Sequence, residues 1–158
     1  MVREHFPGSV VTDTPASPPP RSTERKVDPI PWITPDRTWA AINSFGPHKA
    51  CGPDKLKPVV LQHLPWEAVK ALSNIFTAVI ELGYVPTRWR SSDVIFIEKP
   101  GKTDFENPRS FRPISLMSFV YKTFEKVVAM DLEQNAFKEN PMHEYQFGFV
   151  KGRSTEPA

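Results

Sequence analysis

The residues best placed to do chemistry lie in two extended runs, "DVIFIEKPGK" and "SFRPISLM". Lys99 closes the first run, Lys102 follows in a turn, and Arg112 stands in the second, locked against Pro113. Proline fixes its own φ and drives the preceding residue towards an extended conformation, so Arg112 is held stiffly just ahead of an apolar run. Were the two runs the arms of an antiparallel hairpin, Lys99 and Arg112 would come near each other. Lysine would then act as a mobile point charge and arginine as a planar fork for paired oxygens, a combination suited to a polyphosphate. The same residues also read as a solvated basic hairpin, because surface lysines and arginines are common. On spacing alone the solvated reading stands first, and both remain open.

Other chemistries find less support. "PGKT" is not a phosphate loop: the glycine required five positions before Gly101 is replaced by Phe96, inside a β-rich run. His5, His48, His63 and His143 are far apart and lack partners at metal-ligand spacing. Asp131 and Glu133 are two positions apart, hence on different faces of a helix, and Asp104 and Glu106 sit in a turn. No nucleophile elbow is present. The sequence predicts no catalytic residue and no metal ligand of its own.

The elements that must position Lys99 and Arg112 follow from patterning. The 158 residues are 39% hydrophobic and 24% charged, enough for one globular domain. A net charge of only +2 means that anion binding must come from local placement of basic side chains. The single cysteine, Cys51, excludes an internal disulfide and a multi-thiolate zinc site, and fits an intracellular compartment. The start lacks the apolar segment of a secretory signal, and no run approaches the roughly 20 apolar residues of a membrane span.

Many of the 18 prolines crowd the beginning. Residues 1–33 read as a disordered Pro-rich linker, with a ligand for a proline-reading domain as the alternative. Residues 34–158 read as the folded part. Thr34 and Pro35 open a helix that Gly46 would end. Pro53 and Pro58 break helical continuity. Pro65 to Gly83 bounds the clearest amphipathic helix, with Val69, Leu72, Phe76, Val79 and Ile80 on one stripe. "SDVIFIEK" and "SFRPIS" are the two hairpin strands. A further helix runs from Ser118 until Asn140–Pro141 stops it, and "YQFGFVKGRST" follows as an aromatic, basic segment.

Four blocks, "KACGPDKLKPVVL", "GYVPTRWRSSDVIFIEKPGK", "FRPISLMSFVYKTFEKVV" and "YQFGFVKGRST", resemble in order the amino-terminal blocks of reverse transcriptases from non-LTR retrotransposons. The resemblance spans roughly residues 36–156. It implies an α+β fold, the fingers of an incomplete right-hand polymerase, with the helices and antiparallel hairpin above. It implies that Lys99 and Arg112 contact the triphosphate of an incoming nucleotide, and that Lys102, Gln146, Lys151 and Arg153 meet the template or nucleotide. RNA template, DNA primer and deoxynucleotides are the implied partners of the complete enzyme, and Mg2+ its cofactor. The fragment itself is expected to bind none, because the palm with its paired aspartates, and the thumb, would follow. Other readings of the fragment are a non-enzymatic nucleic-acid-binding module and a functionless relic. Two departures stand out. Lys55 occupies a position that is glycine in the family's "GPDG", and Val150 one that is often basic.

Overall fold

A computed structural model describes residues 30–101, 103–148, 150 and 152–155. The Pro-rich run falls outside them through residue 29, as do Lys102, Phe149 and Lys151. The fold is α+β, helices with a two-stranded antiparallel sheet. Packing already begins at Ile30 and Ile33, ahead of Thr34, because both side chains reach the main apolar cluster.

Helix α1 (Pro35–Asn43) starts as its sequence requires, with the Thr34 hydroxyl accepting from the Arg37 N–H at 3.2 Å. It ends before Gly46. The Ser44 hydroxyl donates to the Ala41 carbonyl at 2.6 Å and its N–H turns back on Ala40, which caps the helix early. Helical continuity is broken ahead of Pro58 as the sequence predicts, and Pro58 also opens a short helix α2 (Pro58–Gln62), in the first turn where its missing N–H costs nothing.

Helix α3 (Trp66–Leu82) ends in Gly83, whose φ of 58° closes it in the left-handed region. Val69, Phe76 and Val79 are buried and Leu72 packs at the edge, but Ile80 is 40% exposed. Ser73 and Thr77 take the buried face in its place. The Ser73 hydroxyl lies 2.9 Å from that of Thr38 on α1, so the two helices meet over small, bonded side chains. Helix α4 (Thr87–Arg90) is a single turn that delivers Trp89 to the core.

Strands β1 (Ser92–Glu98) and β2 (Phe111–Met117) form the expected hairpin, with Ile95 opposite Ile114 and Ile97 opposite Arg112. Helix α5 (Phe119–Asp131) opens on Ser118, whose hydroxyl accepts from the Val120 N–H. The helix expected to reach Asn140 is not uniform: it widens into π-helical turns over Leu132–Ala136 before α6 (Phe137–Glu139). At that junction the Arg37 guanidinium takes Asp131 at 3.5 Å and the Gln134 side-chain oxygen, tying α1 to the end of α5.

The core lies among the helices. Phe76 and Phe124 stand 5.4 Å apart, with Trp89 and Tyr121 completing an aromatic cluster over Val79 and Val127. Ile42, Leu61 and Phe119 form a second cluster.

Candidate nucleotide and nucleic-acid interface

The register settles how Lys99 and Arg112 are related. Lys99 N–H donates to the Ser110 carbonyl at 2.8 Å, continuing the ladder in which Arg112 faces Ile97. Residues directly opposite in an antiparallel pair share a face, so Lys99, Ile97 and Ile95 lie on the face of Ser110, Arg112 and Ile114. Lys99 and Arg112 are diagonal neighbours, a relation that places Cα atoms about 7–8 Å apart, within reach for long side chains. Because 99–110 is a hydrogen-bonded pair, Pro113, three residues on, falls at a non-hydrogen-bonded position opposite Phe96. Its missing N–H therefore takes nothing from the ladder, and Arg112 gains its rigid backbone without weakening the hairpin.

The two cations differ in their surroundings. The Lys99 ammonium donates to the Arg109 carbonyl at 2.7 Å, which fixes its direction and leaves further N–H donors available. Arg112 is exposed, and no hydrogen bond or ion pair holds its guanidinium among the described residues. A half-tethered ammonium beside an open guanidinium is suited to a multiply charged anion.

Gln146 and Arg153 are brought together elsewhere, in the segment after α6. One guanidinium nitrogen of Arg153 donates to the carbonyls of His143 at 2.5 Å, Glu144 at 3.3 Å and Gln146 at 3.1 Å, and the other to Met142 at 3.3 Å. Gln146 donates from its amide to the Gly148 carbonyl at 2.8 Å. Arg153 thus gathers its own segment into a loop. Lys102 and Lys151 lie outside the described residues.

The "GPDK" turn has a structural task that motif reading missed. A Cβ on Gly52 would stand 2.5 Å from the Met117 carbonyl carbon and 2.7 Å from the Ser118 nitrogen, so only glycine lets this turn seat against the end of β2. Lys55 has φ of 60°, the one non-glycine residue in the left-handed region among those described. That is the position where the resemblance calls for glycine. Its ammonium meets Asp93 at 3.2 Å, so the turn also holds the start of β1.

Among the described residues no group of three or more His, Cys, Asp or Glu side chains could hold a metal ion. The Mg2+ implied by the resemblance has no donor set there. No helix of the described residues is long and apolar enough to cross a membrane.

No family model matches the chain. It is 34% identical over 127 residues to the "Probable RNA-directed DNA polymerase from transposon BS" of Drosophila melanogaster, covering 80% of this chain and 14% of that protein. It is 35% identical over 108 residues to the "Probable RNA-directed DNA polymerase from transposon X-element" of the same organism, covering 68% of this chain and 12% of the relative. A third Drosophila melanogaster relative, the "RNA-directed DNA polymerase from mobile element jockey", is 31% identical over 121 residues, or 77% of this chain and 13% of its own length. The chain therefore spans about an eighth of the length of the curated relatives it matches.

Proposed function

The chain belongs to the RNA-directed DNA polymerases of non-LTR retrotransposons, and from that premise we propose that residues 34–158 form their fingers, the part that grips incoming deoxynucleotide and template. The observation that carries this reading is the shared face of Lys99 and Arg112 on an exposed hairpin. Arg112 would take paired phosphate oxygens and Lys99 a third, neutralising charge that grows on the pyrophosphate leaving group. Gln146, Lys102 and Lys151 would contact template or nucleotide, and Arg153 would act by holding the loop that presents Gln146. Divalent metal would be held outside the described residues, in the remainder of the longer polymerase.

The test places Arg112→Ala at the corresponding position of a full-length relative. Loss of a charge-assisted phosphate contact should cost about 1.5–3 kcal/mol, roughly ten- to a hundredfold in nucleotide kcat/KM. Arg112→Lys should recover only part, since an ammonium lacks the bidentate fork. Unchanged nucleotide kinetics with weakened, salt-sensitive template binding would show that the hairpin is a general nucleic-acid surface.

A further inference from the structure

A cleft of about 320 Å³ opens beside the hairpin between the 45–50 loop, Leu116 and the first turns of α5. Its floor is apolar and aromatic: Phe45 and Phe119 meet edge to face with centroids 5.2 Å apart, beside Leu116. Its rim is cationic. Lys122 places its ammonium 4.7 Å from the Phe119 ring centre, Lys126 lies 5.4 Å from that of Phe45, and Lys49 lines the opening. None of the three forms an ion pair among the described residues. The carboxylate nearest in sequence, Glu125, stands by Tyr121, whose hydroxyl pKa is raised by burial and then by that negative charge.

We propose that this cleft is a binding site for single-stranded polynucleotide, with a base against the Phe45–Phe119–Leu116 floor and phosphates on Lys49, Lys122 and Lys126. Charge complementarity selects the occupant. Three cations without carboxylate partners call for a polyanion, and an aromatic floor calls for one with flat apolar faces. A duplex keeps its bases stacked inside, and an acidic peptide has the charge without the planar groups. The lysines now lie over the rings, and an exposed cation–π contact is weaker than stacking of a base on an aromatic side chain. An arriving strand can thus take the lysines onto its phosphates and the rings onto its bases. Leu116 shares the strand face of Arg112, four residues along, or about 14 Å of extended chain. A strand seated in the cleft would therefore run towards the proposed triphosphate grip.

The inference rests on the polymerase reading for the kind of polyanion, and its test is separate because no nucleotide substrate takes part. Labelled single-stranded 12-nucleotide RNA and DNA of one mixed sequence would be titrated with the 158-residue chain at several salt concentrations, following anisotropy. The combined variant Lys49→Gln, Lys122→Gln, Lys126→Gln should weaken binding at least tenfold and lower the salt slope by about 2, the value for three phosphate contacts on a single strand. Phe45→Leu, which keeps an apolar side chain, should weaken binding severalfold with the slope unchanged. A preference for RNA or for DNA that depends on the lysines would support the site and identify its strand. No binding by the parent chain, an unchanged slope in the lysine variant, or equal competition by duplex DNA or polyglutamate would overturn it. Any of these results leaves the Arg112 kinetics untouched.

Discussion

The helices and the hairpin solve different problems with similar residues. The helical body surrounds its own large side chains: Phe76, Val69, Ile42 and Val127 are fully buried. The hairpin carries as much β-branched material yet buries little of it. Val94 is 40% exposed, Ile95 41%, Ile97 50% and Ile114 39%, spread over both faces of the sheet. A hairpin alone is marginal in water. This one is held at its base by the Gly52 turn and the Lys55–Asp93 pair. The body thus makes its own stability, and the hairpin borrows from it. That division fits an element whose exposed face serves binding, because weakly held elements are those free to adjust to a ligand.

The largest effect that separates the two regions should come from the body. Phe76→Ala removes a fully buried ring that touches Trp89 and Phe124, and should cost about 3–5 kcal/mol in urea denaturation. A loss below about 1 kcal/mol would show that the helices do not form a cooperative core. Gly52→Ala comes next, at about 1–3 kcal/mol, because the new methyl group meets backbone atoms rather than a side chain that can swing aside. Its signature should be regional. Hydrogen exchange should quicken first in the hairpin amides, with α3 and α5 still protected. Uniform loss of protection would mean that the turn braces the body instead.

The contrast between the regions also decides what the sequence could reveal. The hairpin was legible because a β-branched and aromatic run, turn formers and the Arg–Pro pair all point to one structure. Helix α3 was legible in extent and in most of its inward face, since Val69, Phe76 and Val79 are buried and Leu72 packs against them, but Ile80 is exposed and Ser73 and Thr77 complete that face. Ser73 and Thr77 look polar in sequence and become core residues because their hydroxyls bond Val69 and Ser73 carbonyls and, for Ser73, Thr38. The short helices α2 and α4 escaped for lack of periodicity in so few residues. The Lys99–Arg112 grouping followed from the strand pattern. The Phe45–Phe119 cleft did not, because it joins a loop, a strand end and a helix that only packing brings together. Its one sequence signal is the Lys122–Lys126 spacing on α5, easily taken for an ordinary solvated face. Arg153 shows the reverse difficulty: a charge suited to phosphate in sequence is committed to four carbonyls in the structure.

A smaller effect should appear at the turn joining the regions. A non-glycine residue in the left-handed region carries a penalty of about 1–2 kcal/mol. Lys55→Gly removes that penalty and returns about 0.5–1 kcal/mol through the greater freedom of glycine in the unfolded chain. It also loses an exposed ion pair to Asp93, a contact of at most about 1 kcal/mol. The expected net change is a stabilisation of about 0.5 kcal/mol, clearest at high salt, where the ion pair is already screened. Destabilisation at high salt would show that the lysine stem, not its charge, fastens the turn to the hairpin.

The smallest expected change carries the comparison furthest. Ile97→Thr replaces a half-exposed side chain near the end of β1 with another β-branched residue whose hydroxyl can remain in water. In the isolated chain its effect on stability should stay below about 0.5 kcal/mol, against several for Phe76→Ala, although both residues are large and apolar. If the hairpin face is open in the whole polymerase as well, the same substitution in a full-length relative should be equally silent. If another part of that protein covers it, the cost should rise to about 1–2 kcal/mol, the value of apolar area withdrawn from water. Paired denaturation curves of the short chain and the full-length relative read this difference directly. A large cost already present in the short chain would break the comparison, because the hairpin would then be contributing to a core of its own.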